Sequence, residues 1–136
     1  MQTAEGSLND SEAVTRGIRI AVRSRYVPER TRPMMNEFFF AYTIRISNEG
    51  RERVQLMSRA WLIEDAEGHV EEVRGPGVVG EQPVLAPGEA FEYTSACPLG
   101  TPFGSMRGSY QMVTEGGERF DAEIARFHLA EPYSIH

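Results

Sequence analysis

The sequence predicts an all-β domain, and three observations carry that prediction. Apolar residues recur at every second position over most of the chain, which is the period of a half-buried strand. Turn-forming Gly, Pro, Asn and Asp residues separate these stretches at intervals of roughly eight to twelve residues, a spacing typical of sandwiches and barrels. The chain has 136 residues, which is the size of one domain.

Two strands are predicted in the first third of the chain. Ile18, Ile20 and Val22 alternate with residues that are charged or small, so this segment has one apolar face and one arginine-bearing face. A longer alternation of aromatic and aliphatic residues starts at Phe38 and ends at the turn Asn48–Gly50. Prolines near residue 30 separate the two strands.

The middle of the chain predicts a hairpin. Val54–Ile63 is a strand with Trp61 as its large core residue, Asp65–Gly68 is the turn, and His69–Val73 is the return strand. A helix is the competing interpretation, and Gly68 would interrupt it. Its apolar face would consist of Leu62, Ala66, His69, Val70 and Val73.

The remaining strands are predicted at Phe91–Cys97, Ser109–Thr114 and Arg119–Leu129. Two loops rich in Gly and Pro, residues 75–87 and 98–108, separate these strands, and Glu115–Gly117 is a hairpin turn. We therefore predict an open immunoglobulin-like or fibronectin type III-like β-sandwich over residues 14–136. Residues 1–13 are predicted to be a disordered acidic tail.

The composition of the chain argues against several classes of function. The net charge is −6, which argues against general nucleic-acid affinity. All fourteen basic residues are arginine, so Schiff-base chemistry and a P-loop lysine are excluded. Cys97 is the single cysteine, and no apolar stretch approaches the ~20 residues of a membrane span. We expect no membrane association and a cytoplasmic location.

The glycine-rich segment Gly75, Gly77 and Gly80 has the spacing of a dinucleotide-binding loop. The following residues Glu81–Pro83 cannot start a long helix, so a dinucleotide site is disfavoured. The segment could instead form a nest of backbone amides that binds a small anion together with Arg74. The simplest alternative is a conformationally demanding loop without a ligand.

Two charged runs have both a functional and a plain interpretation. An arginine run within residues 16–32 could dock an acidic or phosphorylated partner, or could be the solvated face of an edge strand. A carboxylate cluster within residues 64–72 could bind a divalent cation weakly, and a solvated turn is the favoured interpretation. The arginines are Arg16, Arg19, Arg23, Arg25, Arg30 and Arg32; the carboxylates are Glu64, Asp65, Glu67, Glu71 and Glu72.

No set of residues predicts catalysis. The three histidines lie far apart without metal-ligand spacing, and no nucleophile elbow is present. Cys97 falls in strand register and is expected to be a small core or interface residue. We expect no enzyme activity, no cofactor and no bound metal.

Apolar residues at loop positions are the candidate partner-binding surface. Phe38–Phe40 places an aromatic ring on both faces of its strand, so Phe39 must be covered or exposed. Leu99, Phe103 and Met106 punctuate a loop that is otherwise polar. Exposed apolar clusters tend to mark interaction sites. We therefore expect these residues to bind a protein partner, and we expect the chain to form a homodimer, for which the same residues would serve. The alternative is that they cover a small core of their own.

Several blocks of the sequence resemble the ApaG family, also called CorD. The blocks run from about Val14 to the last residue; Ala60 is a departure, since many members carry histidine there. The residues that carry the resemblance are Met57–Arg59 with Trp61 and Asp65, Val73–Gly75, Gly77–Pro83, Pro87–Glu89, Tyr93–Ser95, Cys97–Leu99, Gly104–Tyr110 and, at the end of the chain, Phe127, Leu129, Pro132 and His136.

The resemblance implies a fibronectin type III-like sandwich and little chemistry. It links the chain to cobalt and magnesium tolerance and to diadenosine polyphosphate metabolism, and it implies partner binding as in related eukaryotic domains. The expected function is therefore a non-catalytic binding or regulatory domain. The alternative is a sensor of phosphate, pyrophosphate or a divalent cation that uses the glycine-rich loop.

Overall fold

The structure is a computed structural model, and it describes residues 8–131. Two antiparallel sheets pack face to face, which confirms the predicted β-sandwich. Two short 3₁₀ turns, Pro28–Arg30 and Pro33–Met35, lie between the second and third strands. The strands are β1 Asp10–Thr15, β2 Ile18–Tyr26, β3 Phe38–Asn48, β4 Val54–Asp65, β5 Val70–Pro76, β6 Val84–Leu85, β7 Ala90–Leu99, β8 Phe103–Thr114 and β9 Arg119–Ala130.

The first sheet has the strand order β1-β2-β3-β7, and the second has the order β5-β4-β8-β9, with β6 paired to one end of β4. Side chains that alternate along each strand point either between the sheets or to solvent. The inner faces supply the core, including Ile20, Ile44, Ile124 and Leu129. Within residues 8–131 no helix has the length and apolar character to cross a membrane.

Trp61 belongs to the core and is 3% exposed, as the sequence predicts. Its indole meets three rings edge-on: Tyr42 at 5.5 Å, Phe127 at 6.0 Å and Tyr110 at 6.4 Å between centroids. Edge-to-face contacts of this kind add to the stabilisation that burial gives. These rings come from both sheets, so they join the two layers.

A β-bulge in β4 changes which residues of that strand face the core. Leu56 pairs with Met112 and Ser58 with Gln111, so Met57 is the extra residue. Leu56 and Trp61 are both buried although five positions separate them. An odd separation between two inward residues is possible only because the bulge shifts the alternation by one.

The two long sides of the sandwich differ. We call the side where β1 and β2 approach β9 the closed side: backbone and side-chain hydrogen bonds cross it, including Ser24 Oγ to the His128 carbonyl at 2.6 Å and Ser11 Oγ to the Ala125 carbonyl at 2.8 Å. The opposite side, between the edge strands β7 and β5, is the open side. There the segment between β5 and β6 folds over the gap.

Several sequence-based boundaries differ from the structure. The boundary at residues 13 and 14 falls inside β1, so residues 10–13 belong to the sheet; residues 1–7 lie outside the described range. The predicted loop at residues 98–108 is mostly strand, because β7 continues to Leu99 and β8 starts at Phe103. The alternative helix at residues 62–73 does not form, since these residues belong to the β4–β5 hairpin.

Candidate functional site

The glycine-rich segment forms a small hairpin, which we call the glycine hairpin (residues 77–81). Val78 and Glu81 exchange two backbone hydrogen bonds of 2.8 Å, and Val79 and Gly80 have φ of 42° and 83°. Positive φ at both central residues is the signature of a type I′ turn. A hairpin turn therefore stands where a dinucleotide site would need the start of a helix.

Three amides of the predicted anion nest already have backbone acceptors. The amides of Gly77, Val78 and Glu81 already donate to backbone carbonyls, whereas a nest needs successive free amides aimed at one point. Gly75 lies within β5, opposite Arg59. The glycines thus allow the close backbone geometry of the hairpin, which favours the alternative of a conformationally demanding loop without a ligand.

Arg74 does not join the glycines either. Its side chain is on the outer face of the second sheet, where its Nε donates to Glu72 at 2.7 Å. It lines a shallow groove of about 490 Å³ with Arg107 and Arg126. The candidate set of Arg74, Gly75, Gly77 and Gly80 is therefore split between two surfaces.

The bulge at Met57 places a different arginine beneath the hairpin. Arg59 pairs with Tyr110, a residue without measurable exposure, and paired residues of antiparallel strands point to the same face. Arg59 consequently points between the sheets, on the open side. The Met57 carbonyl itself accepts from the Gly77 amide and from Gln82 Nε2, both at 2.9 Å, and so anchors the glycine hairpin.

The guanidinium of Arg59 is held by carbonyls. Its Nη1 donates to Pro76 O at 2.8 Å and to Gly77 O at 2.9 Å. A Cβ on Gly75 would lie 3.0 Å from the guanidinium, so the glycine leaves room for it. Sequence reasoning missed Arg59; the unequal spacing of Leu56 and Trp61 is the signal that could have revealed it.

Hydroxyl groups lie next to Arg59. Tyr93 and Tyr110 share a short hydrogen bond, and the Tyr42 hydroxyl is within hydrogen-bonding reach of the Ser95 side chain. Burial raises the pKa of Tyr42 and Tyr93 above the usual value for a phenol, and burial together with the adjacent Tyr93 raises the pKa of Tyr110. All three phenols therefore stay protonated at neutral pH.

Two residues of the predicted partner surface lie in the core. Leu99 is 7% exposed and Met106 is 2% exposed, so the expectation that they are exposed is wrong. Both belong to strands and point inward, because the segment that looked like a loop is paired along most of its length. Phe103 is 42% exposed, and Phe39 is half-buried beneath Arg30, whose Cζ lies 4.2 Å from the ring centroid.

Two exposed methionines were missed by sequence reasoning. Met34 and Met35, in the second 3₁₀ turn, are 98% and 62% exposed. Two adjacent methionines in a polar, proline-flanked segment are the signal that could have found them. They lie at the same end of the sandwich as Phe103, since Phe38 at the start of β3 pairs with Leu99, just before β8. We call Met34, Met35, Phe39 and Phe103 the apolar end surface.

The arginine run is not the face of an edge strand, because β2 lies between β1 and β3. Arg19 is bound by Glu12 and Glu49, with the closest N–O distance 2.8 Å. Arg16 is bound to Glu118 at 2.9 Å. In contrast, the ion pairs of the described residues do not include Arg25, Arg30 or Arg32.

The carboxylate cluster is a turn. Asp65 accepts the backbone amides of Glu67 and His69 at 2.9 and 3.0 Å. Desolvation alone would raise the pKa of Asp65, but the two amides and the His69 side chain together outweigh it, so the pKa is lowered. Among residues 8–131, no group of three or more His, Cys, Asp or Glu is placed to hold a metal ion.

Cys97 is 5% exposed and packs in the core. Burial raises the pKa of its thiol to about 11. A thiol in that environment is a poor nucleophile at neutral pH, because the thiolate is the reactive form.

Comparison with known proteins places the chain in one family. A family model described as the ApaG domain matches residues 28–114. Protein ApaG of Rhodospirillum centenum is 58% identical over 120 residues, which cover 88% of this chain and 92% of the relative. Protein ApaG of Anaeromyxobacter sp. is 56% identical over 126 residues, covering 93% and 99%.

A solved structure agrees with these relatives. The crystal structure described as the ApaA protein of Bordetella pertussis superposes with a TM-score of 0.83 and 54% identity, and the match covers 86% of this chain and 95% of that one. The C-terminal domain of wzt, at 12% identity and a TM-score of 0.53, shares the fold alone. On the family model and these identities, the chain belongs to the ApaG domain family.

Proposed function

We propose that this ApaG domain is a non-catalytic protein-binding module that meets its partner with the apolar end surface. The observation that carries the proposal is the exposure of Met34 and Met35, 98% and 62%. Methionine adapts its shape to different apolar partners and is frequent at binding surfaces. Exposed apolar clusters on small domains tend to be interaction sites.

Charge indicates what kind of partner fits. The chain carries a net charge of −6, yet Arg30 and Arg32 flank the apolar end surface without an ion pair among the described residues. Two copies meeting here across a two-fold axis would bring like charges together. We therefore assign this surface to a different protein, whose contact segment combines apolar anchors with acidic residues.

A matched pair of variants tests the assignment. Met34→Ser with Met35→Ser removes the most exposed anchors, and Val14→Ser changes a residue on β1 that is 49% exposed. Proteins captured from source-cell lysate by wild type and by Val14→Ser, and lost with the methionine variant, are purified. Their affinity is then measured by calorimetry, with an expected loss of about tenfold or more.

Arg30→Glu should weaken the same complex, and the loss should shrink as salt is raised. Sedimentation velocity of the purified chain is the check on self-association. A captured partner that binds the methionine variant as tightly as wild type, or a homodimer abolished by that variant, would contradict the proposal.

A further inference from the structure

A cavity lies beneath the glycine hairpin, on the open side of the sandwich, and is separate from the apolar end surface. Its volume is about 380 Å³, and its walls come from both sheets. It opens to solvent beside the exposed Val79 and Gly80. A volume of this size fits a small organic molecule. The residues that give it chemical character are Tyr42, Arg59, Trp61, Tyr93 and Ser95.

Within residues 8–131, no carboxylate forms an ion pair with the charged group in the cavity. Arg59 is half-buried and takes part in no ion pair among the described residues. Both of its hydrogen bonds use Nη1, with neutral carbonyls as acceptors. Guanidinium has five N–H donors in a planar fork, so Nε and Nη2 keep donor capacity towards the cavity.

The hydroxyl pairs add further donors. In the Tyr93–Tyr110 pair two hydroxyl protons are present and one is used in the hydrogen bond between them. Tyr42 and Ser95 are paired across β3 and β7, and both line the cavity. The cavity wall therefore carries the hydroxyl groups of Tyr42, Tyr93 and Ser95, and a hydroxyl can both donate and accept a hydrogen bond. Because the phenols stay neutral, they do not compete with an anion for the arginine.

The remaining walls are flat and apolar. Trp61, the single tryptophan of the chain, lines the cavity together with Pro76 and Val78. The Arg59 guanidinium and the hydroxyl groups can bind an oxyanion, and the aromatic walls can pack against a flat apolar group. The cavity therefore fits a planar apolar molecule that carries an oxyanion at one end.

We propose that this cavity is a binding site for a small aromatic or otherwise planar molecule with a carboxylate or phosphate head, held by Arg59 and the hydroxyl pairs. The head replaces the counter-ion that the described residues do not supply, and the body stacks against the rings. The glycine hairpin roofs the site, and its amides are not the anion ligands.

The fluorescence of Trp61 gives a direct readout. Benzoate and phenyl phosphate are titrated into the full chain, with benzamide as the neutral control of the same shape. We expect saturable changes for one or both anions and at least tenfold weaker binding of benzamide, since a hydrogen bond to a charged group is worth that much. Which anion binds more tightly distinguishes a carboxylate from a phosphate ligand. The absence of a saturable change with either anion up to about ten millimolar would overturn the proposal, because a millimolar dissociation constant is the weak limit of specific binding.

Variants separate the cavity from the rest of the surface. Arg59→Met should weaken anion binding about tenfold or more, whereas Arg74→Gln, on the outer face of the second sheet, should leave it unchanged. Because Arg59 also holds the hairpin carbonyls, thermal unfolding is measured on each variant. Ser95→Ala is the second test, since it removes a hydroxyl without disturbing the hairpin, and a severalfold loss is expected. Anion affinity unchanged in both Arg59→Met and Ser95→Ala, or reduced equally by Arg74→Gln, would contradict the assignment.

Discussion

The closed side and the open side of the sandwich are covered by different kinds of structure. Both must cover the gap between the edges of the two sheets. On the closed side, β1 and β2 lie against β9, and short hydrogen bonds from Ser11 and Ser24 cross directly to backbone carbonyls. On the open side, β5 and β7 stay apart, and a hairpin, an arginine and tyrosines fill the space. Strand contact on the closed side is made by direct hydrogen bonds, whereas the glycine hairpin on the open side covers a cavity.

This contrast predicts where substitutions act. The glycine hairpin depends on a few backbone positions that have no room for a side chain, so a substitution there should lower the stability strongly. The closed side depends on many separate contacts, so each loss should be modest.

The largest loss of stability is expected for a substitution in the glycine hairpin. Gly77 has φ of 59°, and a Cβ there would overlap the Glu81 carbonyl oxygen. Gly77→Ala combines left-handed strain with a backbone clash, so we expect a loss of about 3 kcal/mol or more in the free energy of unfolding. Urea denaturation of wild type and variant measures it.

Gly80→Ala is the matched control for Gly77→Ala. Gly80 also has positive φ, 83°, but no atom of the described residues, its two chain neighbours aside, lies within 4 Å of its Cβ position. It should therefore lose only the strain of about 1 kcal/mol. Equal losses for the two variants would show that the roof does not press on the Gly77 position.

The next effect concerns alkaline pH on the open side. The pKa of Tyr93 and Tyr110 is raised in the folded chain, so their stabilising contribution is complete below the unfolded value near 10 and is lost as pH rises towards the folded pKa. Above pH ~10 the unfolded chain loses phenol protons that the folded chain keeps, and stability falls by about 1.4 kcal/mol per pH unit for each tyrosine.

Tyr93→Phe with Tyr110→Phe removes both partners of the hydrogen bond together and should flatten this decline. Denaturation curves between pH 9 and 11, roughly one unit either side of the phenol value, provide the comparison. Ser24→Ala, on the closed side, should keep the wild-type slope. A double variant with the full wild-type decline would assign the alkaline sensitivity to other groups.

The smallest effect belongs to the closed side. Ser24 is 6% exposed and its Oγ donates to the His128 carbonyl at 2.6 Å. Ser24→Ala leaves that carbonyl without this donor and should cost about 1 kcal/mol. Ser11→Ala removes a similar bond at a half-buried position and should cost roughly half as much, because water can replace it. Thermal unfolding of the two variants measures which loss of stability is larger. Neither variant should change the anion affinity of the cavity at Arg59.

The strands that the sequence predicted correctly are those with a local signal. Ile18, Ile20 and Val22 alternate, and all three are buried on one face of β2. The turn at Asp65–Gly68 was equally local, since Gly68 has φ of 86° and Asp65 binds the turn amides. Period and turn chemistry need no knowledge of the partner strand.

The errors came from features that depend on the partner strand. Gly104 and Gly108 looked like turn residues, yet both lie within β8, where a Cβ would overlap the carbonyl oxygens of Glu64 and Ala60. Glycine is present because β4 approaches closely, and no single-strand pattern shows that. For this reason Met106 was expected in a loop and is in the core.

The candidate site was missed for a related reason. Strict alternation from Leu56 would put Arg59 on the solvent face, and one unpaired residue reverses that assignment. A bulge is specified jointly by two strands, so the sequence of one of them only hints at it.

The extra residue of β4, Met57, determines which face of the sheet each later residue of the strand points to. With Met57 in place, Arg59, Trp61 and Ile63 share the interior and the alternate positions meet water; without it, the two sets would exchange places along half the strand. Loss of this one residue would therefore rebuild an entire wall of the molecule instead of altering a single side chain. Two chains that have the same residues after position 57, one with the extra residue and one without it, would bury different sets of side chains.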